Sequence, residues 1–568
     1  MLTDNSLWPY HSWYSTFTLV WTTIVSIPFL TCALVFAAVV RKRFRQANLR
    51  KIPGPPSISL ISGNMSQMLN PSAEKFHRYI NDTYGRIIRI TGFLGSSVLV
   101  IADTHAAAHI LVKEQDKFPL APGIQESNRL LWGPSLIATK GAHHRRQRKL
   151  LNPVFSPQHM RSLAPLFHRV TRQLELVLRQ LTADGPQEIQ LLNWLSRLAL
   201  ELIAQGGLGE TFDSLNPHGE EHEFAAAMQE YVPTISSLQV FRRLVHLAPR
   251  WPRLLRFCAN LLPSARVHNL LRISDTMYRC SVEIFEEKKA LLEKGDEEIA
   301  HQLSEGKDII SLLMRDNKNA SEEARLPDEE IIGQIGTFLF AGAETTSVTL
   351  SRIFLLLAQH PEVQDRLRDE INQAHAASVD NDLTFEVLSE LPYLEAVCHE
   401  TLRVFAPVVF VSRTCEQDVV IPLSRPIQTS DGPISSILVP QGTDVIIDGP
   451  AINRDKEIWG ADADEWKPER FLSPLPESVT EAHIPGVYSN TMTFTGGARA
   501  CIRRLLRDIS GFKFAELEMK VVLSHLVRSF RFSLSQKEIV WRFGALITPS
   551  VRGSDSLGPK LPMILERL

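Results

Sequence analysis

Paired cysteines, an excess of charge and internal repeats are all missing from this 568-residue chain. Its six cysteines (Cys32, Cys258, Cys280, Cys398, Cys415, Cys501) are scattered, with no CxxC pair. That excludes a disulfide framework and a zinc site, and it suits a reducing compartment. A net charge of −2 argues against nucleic acid as a partner. No repeat or low-complexity linker breaks the chain into modules, although its length alone would suggest several domains.

One uncharged run stands out. Phe17 to Val40 is 24 residues without a charge. As a helix it spans about 36 Å, enough to cross a bilayer. Trp13, Tyr14 and Trp21 sit near its start, as interfacial aromatics do, and Arg41-Lys42-Arg43-Phe44-Arg45 follows at once. The positive-inside bias places the rest of the chain in the cytosol. A cleaved signal peptide is the rival reading, but the run is too long and its basic flank lies on the wrong side. The sequons at Asn64, Asn81 and Asn319 then never meet the glycosylation machinery. The expected division is a short lumenal segment 1–16, an anchor 17–40, a basic and proline-rich linker 41–56, and a catalytic domain 57–568.

Beyond the stiff Pro53-Gly54-Pro55-Pro56, periodicity suggests a helix near Ser72–Tyr84 and two strands, Arg86–Thr91 and Ser97–Ile101. From Phe118 to Thr139 the chain reads as an irregular loop. Helical periodicity dominates from Gln158 to Lys294. A long helix starts near Pro327-Asp328-Glu329-Glu330, where proline and acids suit a first turn, and ends before Pro361.

Two stretches carry chemistry. The first is Phe494-Thr-Gly-Gly497-Ala-Arg499-Ala-Cys501, a lone cysteine in a glycine-rich loop. Such a loop can pass close to a flat object and aim amide N–H groups at sulfur, and with Arg499 nearby this favours thiolate. A buried free cysteine before a core helix is the plain alternative. The second stretch, Ala341-Gly342-Ala343-Glu344-Thr345-Thr346, lies in the middle of the long helix. Glycine and an acid there cost stability and invite a reason. The Thr345 hydroxyl can bond back to the Ala341 carbonyl and bend the helix. Helix packing explains the same residue types equally well.

These residues resemble the cytochrome P-450 superfamily, the haem-thiolate monooxygenases. Phe-x-x-Gly-x-Arg-x-Cys matches at Phe494, Gly497, Arg499 and Cys501, and Ala-Gly-x-Glu-Thr matches from Ala341 to Thr345. Glu400-Thr-Leu-Arg403 and Pro468-Glu-Arg470-Phe match two further family elements. The resemblance implies a mainly α fold with small β-sheets, a triangular prism behind one N-terminal transmembrane helix. It implies haem b on Cys501, oxygen activation by Thr345 with Glu344 relaying protons, and a bracing trio of Glu400, Arg403 and Arg470. Arg148, with His144 where the family has tryptophan, and Arg413 would hold haem propionates. Electrons would come from NADPH through NADPH-cytochrome P-450 reductase, at the endoplasmic reticulum membrane. The substrate would be an apolar small molecule, plausibly a terpenoid or other secondary metabolite. Arg145, Arg146, Lys149, Arg499, Arg504 and Arg507 could steer an acidic reductase.

There is one departure. Where the family has glycine two residues after the cysteine, this chain has Arg503, and the pattern Gly-x-x-Phe-Ala-x-x-Glu resumes only at Gly511 and ends on Glu518. In an unbroken helix eight extra residues would add about 12 Å and about 80°. The residues from Arg503 to Ser510 must loop out, or they mark a gene-model boundary. Two rivals follow: a haem-thiolate isomerase or dehydratase that needs no reductase, and a haem-poor, inert membrane protein with a spoiled ligand loop.

Overall fold

The computed structural model describes residues 33, 37–217, 219, 222–238, 242, 245, 251–294, 308–378, 382–502, 512–554 and 558–568. The anchor at 17–40 falls almost wholly outside these residues, as do Arg503 to Ser510. Among the described residues, no helix is long and apolar enough to cross a membrane.

Residues 37–45 are helical and do not stand off from the body. Arg45 reaches Gln441 Oε1 (3.1 Å) and Asp418 Oδ1 (3.3 Å). Gln46 is 1% exposed; its side chain accepts from the Ser97 N–H (2.8 Å) and donates to Thr443 Oγ1 (3.1 Å). Helix α1 (Glu74–Tyr84) and strands β1 (Ile87–Thr91) and β2 (Ser97–Ile101) follow, close to the expected bounds. The expected loop at Phe118–Thr139 contains a helix instead, α2 (Pro122–Trp132). Pro122 occupies its first turn, where a missing N–H costs nothing, and Gly133 at φ 62° ends it. Proline and glycine thus mark the ends of this segment and do not break it.

Helices α3 (Gly141–Leu151), α4 (Pro157–Leu181) and α5 (Leu191–Ile203) lead to the central element, α6 (Asp328–Gln359). Its 32 residues span about 48 Å. It is buried around most of its circumference, between α5 and the C-terminal helices, as a helix apolar on all sides must be. Three acids in its first turn suit the positive end of the helix dipole.

After helix α7 (Pro392–Val404) come strand β3 (Phe410–Thr414), a hairpin of β4 (Val419–Thr429) and β5 (Gly432–Val439), and β6 (Asp444–Asp448). Strands β1, β2, β6 and β3 form one sheet in that order, with β2 and β6 parallel and the outer pairs antiparallel. Pairing of Arg413 with Val445 fixes where the Arg413 side chain leaves the sheet. The last long helix, α8 (Phe512–Ser529), packs on α4 and α6 in the main apolar core. The architecture is mainly helical with small sheets, as expected.

Candidate functional site

The cysteine loop is closed by a hydrogen bond from the Cys501 N–H to the Phe494 carbonyl (3.1 Å). Gly497 adopts φ +72°, and a Cβ there would lie 1.8 Å from the Leu111 carbonyl oxygen. The glycine is therefore required by the neighbouring chain as well as by its own dihedral. Arg148 on α3 donates to the carbonyls of Ala500 (2.7 Å) and Cys501 (3.2 Å) and holds the loop from below. Arg499 donates to the Thr139 carbonyl.

Burial pushes the Cys501 thiol up; Arg148 and the Ile502 N–H pull it the other way. Sequence reasoning had assigned that pull to loop amides together with Arg499; here an amide and Arg148 supply it, and they do not outweigh burial.

Cys501 faces an apolar cavity of about 230 Å³. Ala341 and Thr345 of α6, Phe494, and Ala515 and Met519 of α8 share its wall. The Thr345 hydroxyl donates to the Ala341 carbonyl (2.8 Å), the back-bond anticipated from residue types. Gly342 serves packing: a Cβ there would sit 2.8 Å from Cγ1 of Ile203 on α5. Burial raises the Glu344 carboxyl to about 7, with no compensating partner. One residue on, Thr346 donates to Oε2 of Glu518 on α8 (2.9 Å), whose carboxyl burial pushes well above its ordinary range. Glu518 is the closing acid of the Gly-x-x-Phe-Ala-x-x-Glu pattern; what the sequence did not show is its partner, 172 positions away.

At one edge lies a second cavity of about 180 Å³, lined by His144, Arg413 and Arg499 among others. Burial, then the charge of Arg499, pulls Arg413 down to about 9. Burial, then Arg148, pulls Arg499 down to about 10. Burial and the surrounding arginines hold His144 at about 3, so its imidazole is neutral. Among the described residues, Arg148, Arg413 and Arg499 have no carboxylate within salt-bridge distance. Asp116 and Glu416 line the same cavity but pair with Arg145 and Lys140, so Arg413 and Arg499 keep an anion-binding edge.

The bracing trio meets in the core. Arg403 donates through Nε and Nη2 to Glu400 (2.7 and 2.8 Å). Its remaining donors reach the carbonyls of Asn453 (2.8 Å), Ala463 (2.7 Å) and Glu465 (3.1 Å), so all five N–H groups are used. Arg470 Nε adds a bond to Glu400 Oε1 (3.3 Å). The network runs on to the loop: Asn453 accepts from the Met492 N–H (2.7 Å) and donates to Thr493 Oγ1 (3.1 Å), just before Phe494. Asn453 was not anticipated from sequence.

A lone cysteine and a back-bonded threonine share one apolar cavity, and Arg413 and Arg499 line a second. The cytochrome P450 family model matches residues 53–551, and the chain belongs to that family. It is a cytochrome P450 monooxygenase, with haem and electrons from a redox partner implied by membership. It is 43% identical over 544 residues to cytochrome P450 monooxygenase 91 of Postia placenta, covering 95% of this chain and 98% of the relative. Cytochrome P450 monooxygenase 81 of the same fungus is 45% identical over 534 residues, covering 93% and 95%. A protein named ganoderic acid synthetase, from Ganoderma lucidum, is 38% identical over 554 residues, covering 96% and 99%.

Haem fits this donor set: a cysteine thiol, apolar walls for a flat ring, and guanidiniums with no carboxylate partner for its propionates.

Proposed function

We propose that this protein is a membrane-anchored monooxygenase of the endoplasmic reticulum. It takes electrons from NADPH through NADPH-cytochrome P-450 reductase and inserts one oxygen atom into an apolar small molecule, a terpenoid or another secondary metabolite. The observation that carries the reading is the shared cavity of Cys501 and Thr345. The name of the Ganoderma relative supports the substrate class.

In this reading Cys501 would hold haem b, which would supply the redox and dioxygen chemistry. Phe494 and Gly497 shape the ligand loop. Arg499 and Arg413 would hold the propionates, and neutral His144 lines the same cavity. Arg148, engaged by loop carbonyls, supports the loop and adds positive charge. Thr345 exchanges its bond to the Ala341 carbonyl for one to an incoming proton acceptor, and Glu344, poised near neutrality, reloads it. Glu400, Arg403 and Arg470 fix the approach to the loop. Residues 17–40 anchor the chain. Exposed apolar side chains at Phe44, Ile58, Leu60, Ile61 and Leu94, and at Trp251, Phe257 and Leu261, offer the body further contact with lipid.

The test is the reduced carbon-monoxide difference spectrum of the full chain and of Cys501→Ala. A thiolate-type band in the first, absent from the second, is expected. Protection of the body from protease on intact microsomes, or substrate turnover without NADPH, would refute the topology or the reaction.

A further inference from the structure

Beyond Thr345 on α6, about 10 Å further along the helix, lies Arg352. Its guanidinium carbon sits 3.3 Å from the centre of the Trp541 ring and 4.2 Å from that of Phe405. No hydrogen bond or ion pair to its guanidinium occurs among the described residues. Burial pushes its pKa well below the ordinary arginine value.

Arg352 lines a cavity of about 70 Å³ together with Arg454, Arg78, His77 and Phe543. That is room for a head group or two waters at about 30 Å³ each, not for a whole substrate. Arg454 makes only a long bond to the Pro450 carbonyl (3.4 Å). Two acids share the wall, and both are engaged elsewhere. Glu74 pairs with Arg78 (3.2 Å). Asp448 accepts from the Ala451 N–H (3.0 Å) and from Asn81 (3.0 Å). Asp464, outside the wall, pairs with Arg78 (3.5 Å). The nearest acid charge felt by Arg352 is Glu74, beyond ion-pair distance. Burying an unpaired guanidinium is expensive, and a planar fork with free donors matches a carboxylate.

Ala406, Pro407 and Val409 line both this cavity and the cavity of Cys501 and Thr345. We infer that Arg352 receives the carboxylate of a substrate whose apolar body extends past these three residues into the cavity of Cys501. The substrate class is thus an apolar molecule with a carboxylic acid remote from the oxidised carbon. The inference rests on the reading of the Cys501 cavity as the oxidation site.

The test uses the full-length, haem-loaded protein. Its reduced carbon-monoxide band is recorded first, since a missing thiolate band would sink the functional reading whatever Arg352 does. Equilibrium dialysis then compares acids with their methyl esters, over linear fatty acids and polycyclic terpenoid acids. At least one acid should bind roughly tenfold or more tightly than its ester. Arg352→Met should bring that acid down to its ester's affinity, and Arg352→Lys should retain part of the preference. If no acid exceeds its ester, the inference falls. It falls equally if Arg352→Met weakens acid and ester alike while lowering the melting temperature, because Arg352 is then only a bracket between two aromatic rings.

Discussion

Phe512, the first residue of α8, lies against Phe494 at the head of the cysteine loop, 5.6 Å between ring centres. Tyr488 touches both, at 5.2 and 4.9 Å. The helix therefore starts beside the loop it follows, and Ala515 and Met519 still reach the Cys501 cavity. The eight residues Arg503 to Ser510 lie between the two in sequence.

Removing those eight residues should consequently leave haem content and the thiolate band at least as strong as in the full chain. Absorbance spectra of both forms decide this. A deletion form that loses the band would mean that the segment belongs to the ligand loop.

Glu344 makes stability pH-dependent. In the folded protein its carboxyl titrates at about 7, against 4.5 for an unburied one. Between those values the folded state holds more protons than the unfolded, so this contribution falls as pH rises, and it is lost above pH 7. Glu344→Gln should gain melting temperature over the native protein progressively from pH 4.5 to 7. Parallel melting curves across that range would dismiss the buried, uncompensated carboxyl.

Glu400→Gln leaves the fully buried Arg403 guanidinium without its counter-charge. A loss of about 3–5 kcal/mol is expected in denaturant unfolding, with partial loss of haem because Asn453 couples the pair to the cysteine loop. Near-native stability would show that the remaining carbonyl bonds suffice.

Of the basic residues expected to meet a reductase, the structure leaves fewer free. Arg146 pairs with the buried Glu330 (3.3 Å), and Arg499 is taken up by Thr139. Arg504 and Arg507 lie outside the described residues. Arg145 and Lys149 are exposed, the former near Asp116 (3.0 Å). Lys149→Glu with Arg145→Glu should slow flavin-to-haem electron transfer several-fold at low salt, with the gap closing as salt is raised. Equal rates for both proteins at low salt would remove this face from the partner surface.

Local signals read well where chemistry is local. The long helix was bounded almost to the residue, because Pro327 and three acids open it and Pro361 closes it. The Thr345 back-bond spans four residues and was legible for the same reason. What the sequence hid is long-range. Gly342 invited a reason that the sequence could not supply, and Ile203 on another helix supplies it. Asn453 and Arg352 carry meaning only through partners brought together by the fold, and so does the bond of Glu518 to Thr346. The helix at Pro122–Trp132 was obscured because the same residue types that cap a helix also build loops.

Gln46 gives the chain a sharper boundary than its prolines do. With its side chain locked into the edge of β2, the globular body ends upstream of position 46, not at Pro53. Soluble versions trimmed at the proline run would leave the first residue of β2 without its two amide bonds and Thr443 without its donor. Cutting a few residues earlier keeps that plug in place.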